Sequence, residues 1–302
     1  MAVLAVYIIF GINPNCSKAV VPEYITPEAF TAARVIFGAA VFWLLARFFP
    51  KEKVERKDWG KFIFGGIILA GTLIAFAEAF RFTSPCYVSL VSATSPLLVM
   101  LMAAAFLKEP ISLRKSLGVL AGICGALMIV LFSWKIYANA TPLGLLMCFV
   151  NILFYASYLL ITRTISKKYS PVTLMKWMFL IACLICVPVA IPFLGNSPMI
   201  FGSVPLGPWL NFYTVMIFST VVAYFLLPIG LRYLRPTTVS MYSNLQPVVT
   251  SVVAIAFGQD IFTWNKPVAL VCIAFGVYLV TTSRSKEDME KQKSCAESQT
   301  AR

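Results

Sequence analysis

Histidine is missing altogether from this 302-residue chain. That excludes Ser-His-Asp and Cys-His catalysis and every metal site that needs an imidazole ligand. Charge is scarce as well. Asp, Glu, Lys and Arg together make up 12% of the residues, about half the share usual in a soluble domain. No G-x-x-x-x-G-K-[ST] segment occurs, so there is no ATP-binding loop of that kind. The eight cysteines have no redox-fold context. Cys124, Cys148, Cys183, Cys186 and Cys272 fall inside apolar runs, and the Cys183-x-x-Cys186 spacing reads as small membrane-core residues rather than a redox pair. No cofactor is expected.

What the chain has instead is apolar length. It is 60% hydrophobic, with mean hydropathy +0.84. The apolar residues form runs at about 2–21, 28–49, 62–82, 86–107, 116–134, 142–162, 173–195, 209–231, 237–258 and 264–283. A run of roughly 18 residues crosses the hydrocarbon core as a helix. The first run begins at Ala2 without a basic flank or a clear cleavage site, so it is expected to be a retained helix and not a signal peptide. The links between runs are short and carry Pro, Gly and charge. Gly195–Pro208 is expected to be a loop, and residues 284–302 a polar, flexible tail.

The net charge of +13 would suggest nucleic acid on a soluble protein. Here topology and lipid headgroups account for it, and no nucleic-acid partner is expected. With the N-terminus inside, 20 of the 25 Lys and Arg fall in cytoplasmic links or the tail. Only Arg81, Lys135 and Lys266 fall outside, while Lys18 and Arg34 lie within runs. Both termini are therefore predicted cytoplasmic, which requires an even number of spans.

A shift of 151 residues lays part of the sequence on itself without a gap. Arg81 meets Arg232, Pro85 meets Pro236, Ser89 meets Ser240, Ser92 meets Ser243, Pro96 meets Pro247, Phe106 meets Phe257, Lys115 meets Lys266 and Gly125 meets Gly276. Glu109 meets Asp260. Coincident Arg, Pro, Ser and Lys at one offset are far less common than apolar self-matches. The offset covers five runs, so the second copy enters the membrane from the opposite side. The predicted fold is all-α and membrane-embedded: ten transmembrane helices in two inverted five-helix repeats, an arrangement used by transporters that alternate access to a midplane site.

The stretch from Phe80 to Pro110 (FRFTSPCYVSLVSATSPLLVMLMAAAFLKEP), with the glycines Gly118, Gly122 and Gly125 after it, resembles the EamA-type transporters of the drug/metabolite transporter superfamily. The second half repeats it from Leu231 to Asp260, and the opening GINPNCSK and TPEAFTAAR segments look like the family's first-half motifs. Asp260 stands where the family usually has Glu, and Glu78 matches no family motif. The resemblance implies a first repeat over 1–135, a second over 136–283, and efflux or exchange of small metabolites.

Charges within spans are expensive and are functional candidates by default. Lys18, Arg34 and Glu78 sit at similar depth on the outer side, so Glu78 is expected to neutralise Arg34 or Lys18. Asn15 and Asn13 flank Pro14, where a proline loosens the first helix. Ser92 precedes Pro96, and Tyr242 and Asn244 precede Pro247 in the repeat mate. Asn151, Tyr155 and Tyr158 recur at helical spacing, and Tyr224 lies in the eighth run. Asn15, Lys18, Arg34, Glu78, Ser92, Asn151, Tyr155, Tyr158, Tyr224, Tyr242 and Asn244 are thus the candidate substrate-binding residues. Gly118-x-x-x-Gly122 is a helix-dimerisation pattern, with a homodimer as the corresponding expectation.

The function expected is a secondary carrier, without enzymatic activity, that exports a small neutral or zwitterionic metabolite across a plasma (bacterial inner) membrane. An importer or exchanger of a sugar phosphate or nucleotide sugar is the alternative, and several deep basic residues would favour it. Topology is testable directly. A single cysteine at Lys135 should react with an impermeant maleimide added outside intact cells, and one at Lys57 should not. Labelling at Lys57 would overturn the predicted orientation.

Overall fold

The computed structural model describes residues 1–83, 88, 91–109, 111–132, 141–202, 204–256 and 265–282. Pro85, Ser89, Lys135, Asp260 and the tail 284–302 lie outside the described residues, and with them the expectations placed there. All regular structure among the described residues is helical. The first half holds α1 (Ala2–Lys18), α2 (Pro27–Leu45), α3 (Trp59–Phe82), α4 (Ser95–Leu107) and α5 (Leu113–Phe132). The second holds α6 (Pro142–Ser166), α7 (Pro171–Ala190) and α8 (Leu206–Tyr233). These are followed by α9, formed by Pro236–Met241 and Leu245–Ala256 around a 3-10 turn at Tyr242–Asn244, and by α10 (Asn265–Thr281). Five segments are long and apolar enough to cross a membrane: Pro27–Leu45, Arg56–Phe82, Pro142–Ser166, Pro171–Asn196 and Leu206–Tyr233.

The helix starts follow from local chemistry. Thr26, Thr141 and Ser170 each place a hydroxyl on the N–H three residues ahead, at 3.3, 3.1 and 3.3 Å, and each is followed by proline at the first helical position. Such caps satisfy N–H groups that would otherwise be orphaned. Thr26-Pro27 and Ser170-Pro171 are also counterparts in the two halves, at an offset of 144 rather than 151. Unequal links hide this part of the repeat from a gapless shift.

Two expected continuous helices are interrupted. The run at 86–107 has a turn at Ala93–Thr94, with α4 starting at Ser95. The run at 237–258 breaks at Tyr242–Asn244. Pro96 and Pro247 lie two and three residues beyond these breaks, and a proline has no N–H for the carbonyl four residues back, that of Ser92 and of Ser243, so the helix before it loses a hydrogen bond. Part of the expected Gly195–Pro208 loop is ordered too, as a helical turn at Pro198–Phe201 whose Met199 N–H donates to the Tyr24 carbonyl at 2.9 Å.

Packing pairs off when the halves are exchanged. α2 packs on its counterpart α7, and α5 on its counterpart α10. α3 packs on α6 as α8 packs on α1, and α4 packs on α6 as α9 packs on α1. The bundle exterior is apolar: Ile36, Phe64, Phe149, Leu184 and Phe218 are each half exposed or more. Aromatic clusters mark two levels. Trp43, Trp59 and Trp177 meet at 4.8–5.3 Å between centroids, and Trp209 stacks on Tyr213 at 5.8 Å. Trp and Tyr are enriched at the headgroup level of membranes.

α5 and α10 approach closely enough for their backbones to meet. A Cβ on Gly276 would lie 2.6 Å from the Gly118 carbonyl oxygen, and one on Gly122 would lie 2.4 Å from Asn244 Nδ2. The Gly118-x-x-x-Gly122 surface is therefore filled from within the chain, by α10 and by the break in α9. That removes the sequence basis for using it between two copies. Gly276→Ala should cost about 1–3 kcal/mol of stability, because the obstructing atoms are backbone. Thermal unfolding in detergent checks this, and an unchanged melting temperature would contradict the packing.

Candidate functional site

A cavity of about 70 Å³ lies between the two halves, smaller than the usual small-molecule site. α1 lines it with Phe10, Asn13 and Pro14, and α3 with Thr72, Leu73 and Phe76. α6 supplies Asn151, Ile152 and Tyr155, and α8 supplies Tyr224. The interrupted helices contribute at their breaks: Ser92 and Ser95 from one, Ser243 and Gln246 from the other. The two breaks are tied together. Ser95 Oγ and Ser243 Oγ are 2.9 Å apart, and Ser243 Oγ also donates to the Ser240 carbonyl at 2.7 Å.

Arg34, from α2, is the one charged residue among those lining the cavity. It is 2% exposed. Its Nε donates to Thr220 Oγ1 at 3.0 Å and one Nη to Ser219 Oγ at 3.4 Å. The guanidinium lies 5.8 Å from the Phe30 ring centre and 6.0 Å from that of Phe76. Ser219 and Thr220 stand on π-helical turns spanning Val215–Val222. Such wide turns are found mostly as local insertions in α-helices, frequently at functional sites. Thr220 Oγ1 also donates to the Val215 carbonyl at 3.2 Å.

The aromatic wall continues outward from the cavity. The Tyr7 and Tyr155 hydroxyls are 2.8 Å apart. Tyr242 stacks on Tyr7 at 6.5 Å, and Tyr155 stacks on Tyr158 at 6.5 Å. Tyr224 packs edge-on against Phe10, Tyr158 and Phe179 at 5.4–6.1 Å. The Tyr158 hydroxyl points to Met175 Sδ at 3.7 Å. Asn151 Nδ2 donates to the Thr72 carbonyl at 2.8 Å.

The expected residues thus divide. Arg34, Ser92, Asn151, Tyr155 and Tyr224 line the cavity, while Tyr158 and Tyr242 back its aromatic wall. Asn15 does not line it; its neighbour Asn13 does, with Oδ1 accepting from Ser17 at 3.2 Å. Asn244 is fully buried against Gly122 and does not line the cavity, and among the described residues neither its Nδ2 nor its Oδ1 has a hydrogen-bond partner. Ser219, Thr220, Tyr7 and Thr72 were missed. Ser219-Thr220 is the adjacent hydroxyl pair interrupting the apolar stretch 215–231, and Tyr7 shares a helix face with Phe10 and Pro14.

The expected ion pair between Glu78 and Arg34 or Lys18 does not form. Glu78 lies 3.4 Å from Arg81 Nε, one helical turn along, and Arg81 Nη2 also grips Glu28 at 2.7 and 2.9 Å. Similar depth in two adjacent helices does not put side chains on facing surfaces. Lys18 Nζ donates to the Phe80 carbonyl at 2.7 Å, near the end of α3, where a cation meets the negative end of the helix dipole. Arg163 does the same for α8, bonding the Leu231 carbonyl, 151 residues beyond Phe80.

Equivalent clasps also join the links at the two ends. At one end Glu52 Oε2 accepts from the N–H of Ser170, the cap of α7, at 2.9 Å. Lys168 is held between Asp58 and Glu55, both at 2.6 Å. Those carboxylates hold the Lys168 ammonium above the usual lysine range, so the clasp is ionic at neutral pH. At the other end Ser197 Oγ accepts from the N–H of Thr26, the cap of α2, at 3.2 Å.

The sequence comparison decides the class of protein. The EamA-like transporter family matches residues 1–131 and again 142–282. The chain belongs to the EamA-like transporter family. It is a multi-pass membrane protein of duplicated halves, and its family is one of transporters, not enzymes. The chain is 25% identical to the uncharacterized transporter YyaM of Bacillus subtilis (strain 168), over 92% of this chain and 93% of the relative. It is 20% identical to the uncharacterized transporter YetK of the same organism, over 74% and 68% of the two chains. A solved crystal structure shares its fold, with TM-score 0.74 and 17% identity over 93% of this chain and 95% of that one.

The reassigned pairing can be measured by double-mutant cycles on thermal stability. Glu28→Gln with Arg81→Gln should be non-additive by about 0.5–3 kcal/mol, and Glu78→Gln with Arg34→Gln additive within about 0.5 kcal/mol. Coupling of the second pair alone would restore the expectation that the structure sets aside.

Proposed function

We propose that this EamA-family transporter is a secondary carrier of ten spans, with inverted repeats over 1–135 and 136–283 and a polar tail over 284–302. It exports a small neutral or zwitterionic metabolite across the plasma (bacterial inner) membrane by alternating access. The single observation that carries this reading is the central cavity with equivalent clasps at its two ends. The Ser170–Glu52 and Thr26–Ser197 contacts tie the same two links of opposite halves. Opening one while the other holds would expose the cavity to one side at a time, as in inverted-repeat transporters. The basic-residue bias supports the Lys168 end, and both termini, as cytoplasmic. The cavity lining also bears on the cargo: with Arg34 as its single charged residue, it suits a sugar phosphate or nucleotide sugar poorly.

The test uses purified protein in liposomes, with Thr26→Cys and Ser197→Cys in a background lacking native cysteines. Counterflow of amino acids and small drug-like compounds should proceed without ATP. Oxidation should reduce it at least tenfold, and a reductant should restore it. Full flux through the cross-linked protein, or a strict need for ATP, would overturn the mechanism.

A further inference from the structure

Arg34 poses a problem of charge. It is buried in an apolar bundle, and its recorded partners are two hydroxyls and two aromatic rings. No carboxylate among the described residues lies within ion-pair distance of it. The acid expected to neutralise it, Glu78, is engaged by Arg81 instead. A guanidinium is never deprotonated under ordinary conditions, so this site carries a standing positive charge. Hydroxyls and ring faces stabilise such a charge only in part. The rest of the cavity lining has no charged group of either sign.

On the reading of the protein as a carrier, we infer that the transported molecule supplies the missing counter-charge: it bears one carboxylate, which docks on Arg34 in the central cavity. The planar guanidinium fork matches a carboxylate in two parallel hydrogen bonds. Ser219 and Thr220 hold the fork in place through Nε and one Nη, and Asn13 and Gln246 add polar groups to the same cavity. The remainder of the ligand meets Phe10, Phe76 and the tyrosines, so the body next to the carboxylate is apolar or aromatic. A phosphate monoester brings a second negative charge that no other lining residue offsets, and the cavity rejects it.

The inference shifts the proposed cargo from neutral or zwitterionic compounds to those with a single carboxylate, which keeps zwitterionic amino acids and adds monoanionic acids. It is tested by binding, independently of flux. The probes are L-leucine, L-phenylalanine and 3-phenylpropionate, each beside its primary amide, together with phenyl phosphate. At saturating concentration at least one carboxylate should raise the melting temperature of the purified protein by about 2–4 °C. Its amide and phenyl phosphate should not. Arg34→Gln should weaken the carboxylate roughly a hundredfold, and Arg34→Lys should recover part of it. Equal stabilisation by acid and amide, stronger stabilisation by phenyl phosphate, no stabilisation by any probe, or a carboxylate preference surviving in folded Arg34→Gln protein would each overturn the inference. Carboxylate binding without counterflow in liposomes would leave the site standing and reject the carrier reading.

Discussion

A helix interrupted within a bilayer must hide its freed backbone groups in protein, because lipid offers no hydrogen bonds. That constraint organises this molecule. One interruption falls at Ala93–Thr94 and the other at Tyr242–Asn244, each just before a proline. They face one another, and Ser95 and Ser243 close the gap at 2.9 Å. A polar patch is thereby forced into the middle of the bundle. Once it exists, the surrounding helices can add polar groups at low cost, and α1, α6 and α8 add Asn13, Asn151 and Tyr224. The cavity follows from having two breakable helices meet where the halves meet.

Duplication explains which interactions come in pairs. Lys18 on the Phe80 carbonyl has its counterpart in Arg163 on the Leu231 carbonyl. The hydroxyl caps at Thr26 and Ser170 correspond, and each cap's N–H is gripped by the link of the other half. The two grips differ in strength of charge. Glu52 is a carboxylate acceptor, backed by Lys168, Asp58 and Glu55, whereas Ser197 is neutral. Charge-assisted hydrogen bonds are about twice as strong as neutral ones. The Lys168 end is therefore the firmer of two equivalent closures.

Much of this was legible in the sequence, for identifiable reasons. Run length gave the helices, because apolar length is a one-dimensional property. The gapless offset gave the duplication over α3 to α5, where links are equal, and missed the Thr26–Ser170 correspondence, where they are not. Depth of a charge is legible too, so Arg34 was found. Azimuth is not: Glu78 and Arg34 share a level but face different neighbours, and the orientation depends on packing that a single helix does not encode. Asn15 and Asn13 show the same limit within two residues. The π-helical turns around Ser219 and Thr220 have no marker in composition, so the partners of Arg34 went unseen.

The places where duplication fails say the most about cargo. On the alternating-access reading, an interaction present in both halves serves the moving frame, since the frame must work the same way from both sides. Counting from the paired caps, the counterpart of Arg34 is Met178, an apolar side chain fully buried in the core. Glu28 and Glu78 have no acidic counterparts either, but they lie with Arg81 outside the cavity and neutralise a charge that the second half repeats as Arg232. Arg34 neutralises nothing among the described residues. A buried cation that one half has and the other lacks contributes neither to the repeat nor to a visible ion pair. Its cost is borne at the cavity where, on the proposed reading, the cargo docks, which is where selection for a ligand would act.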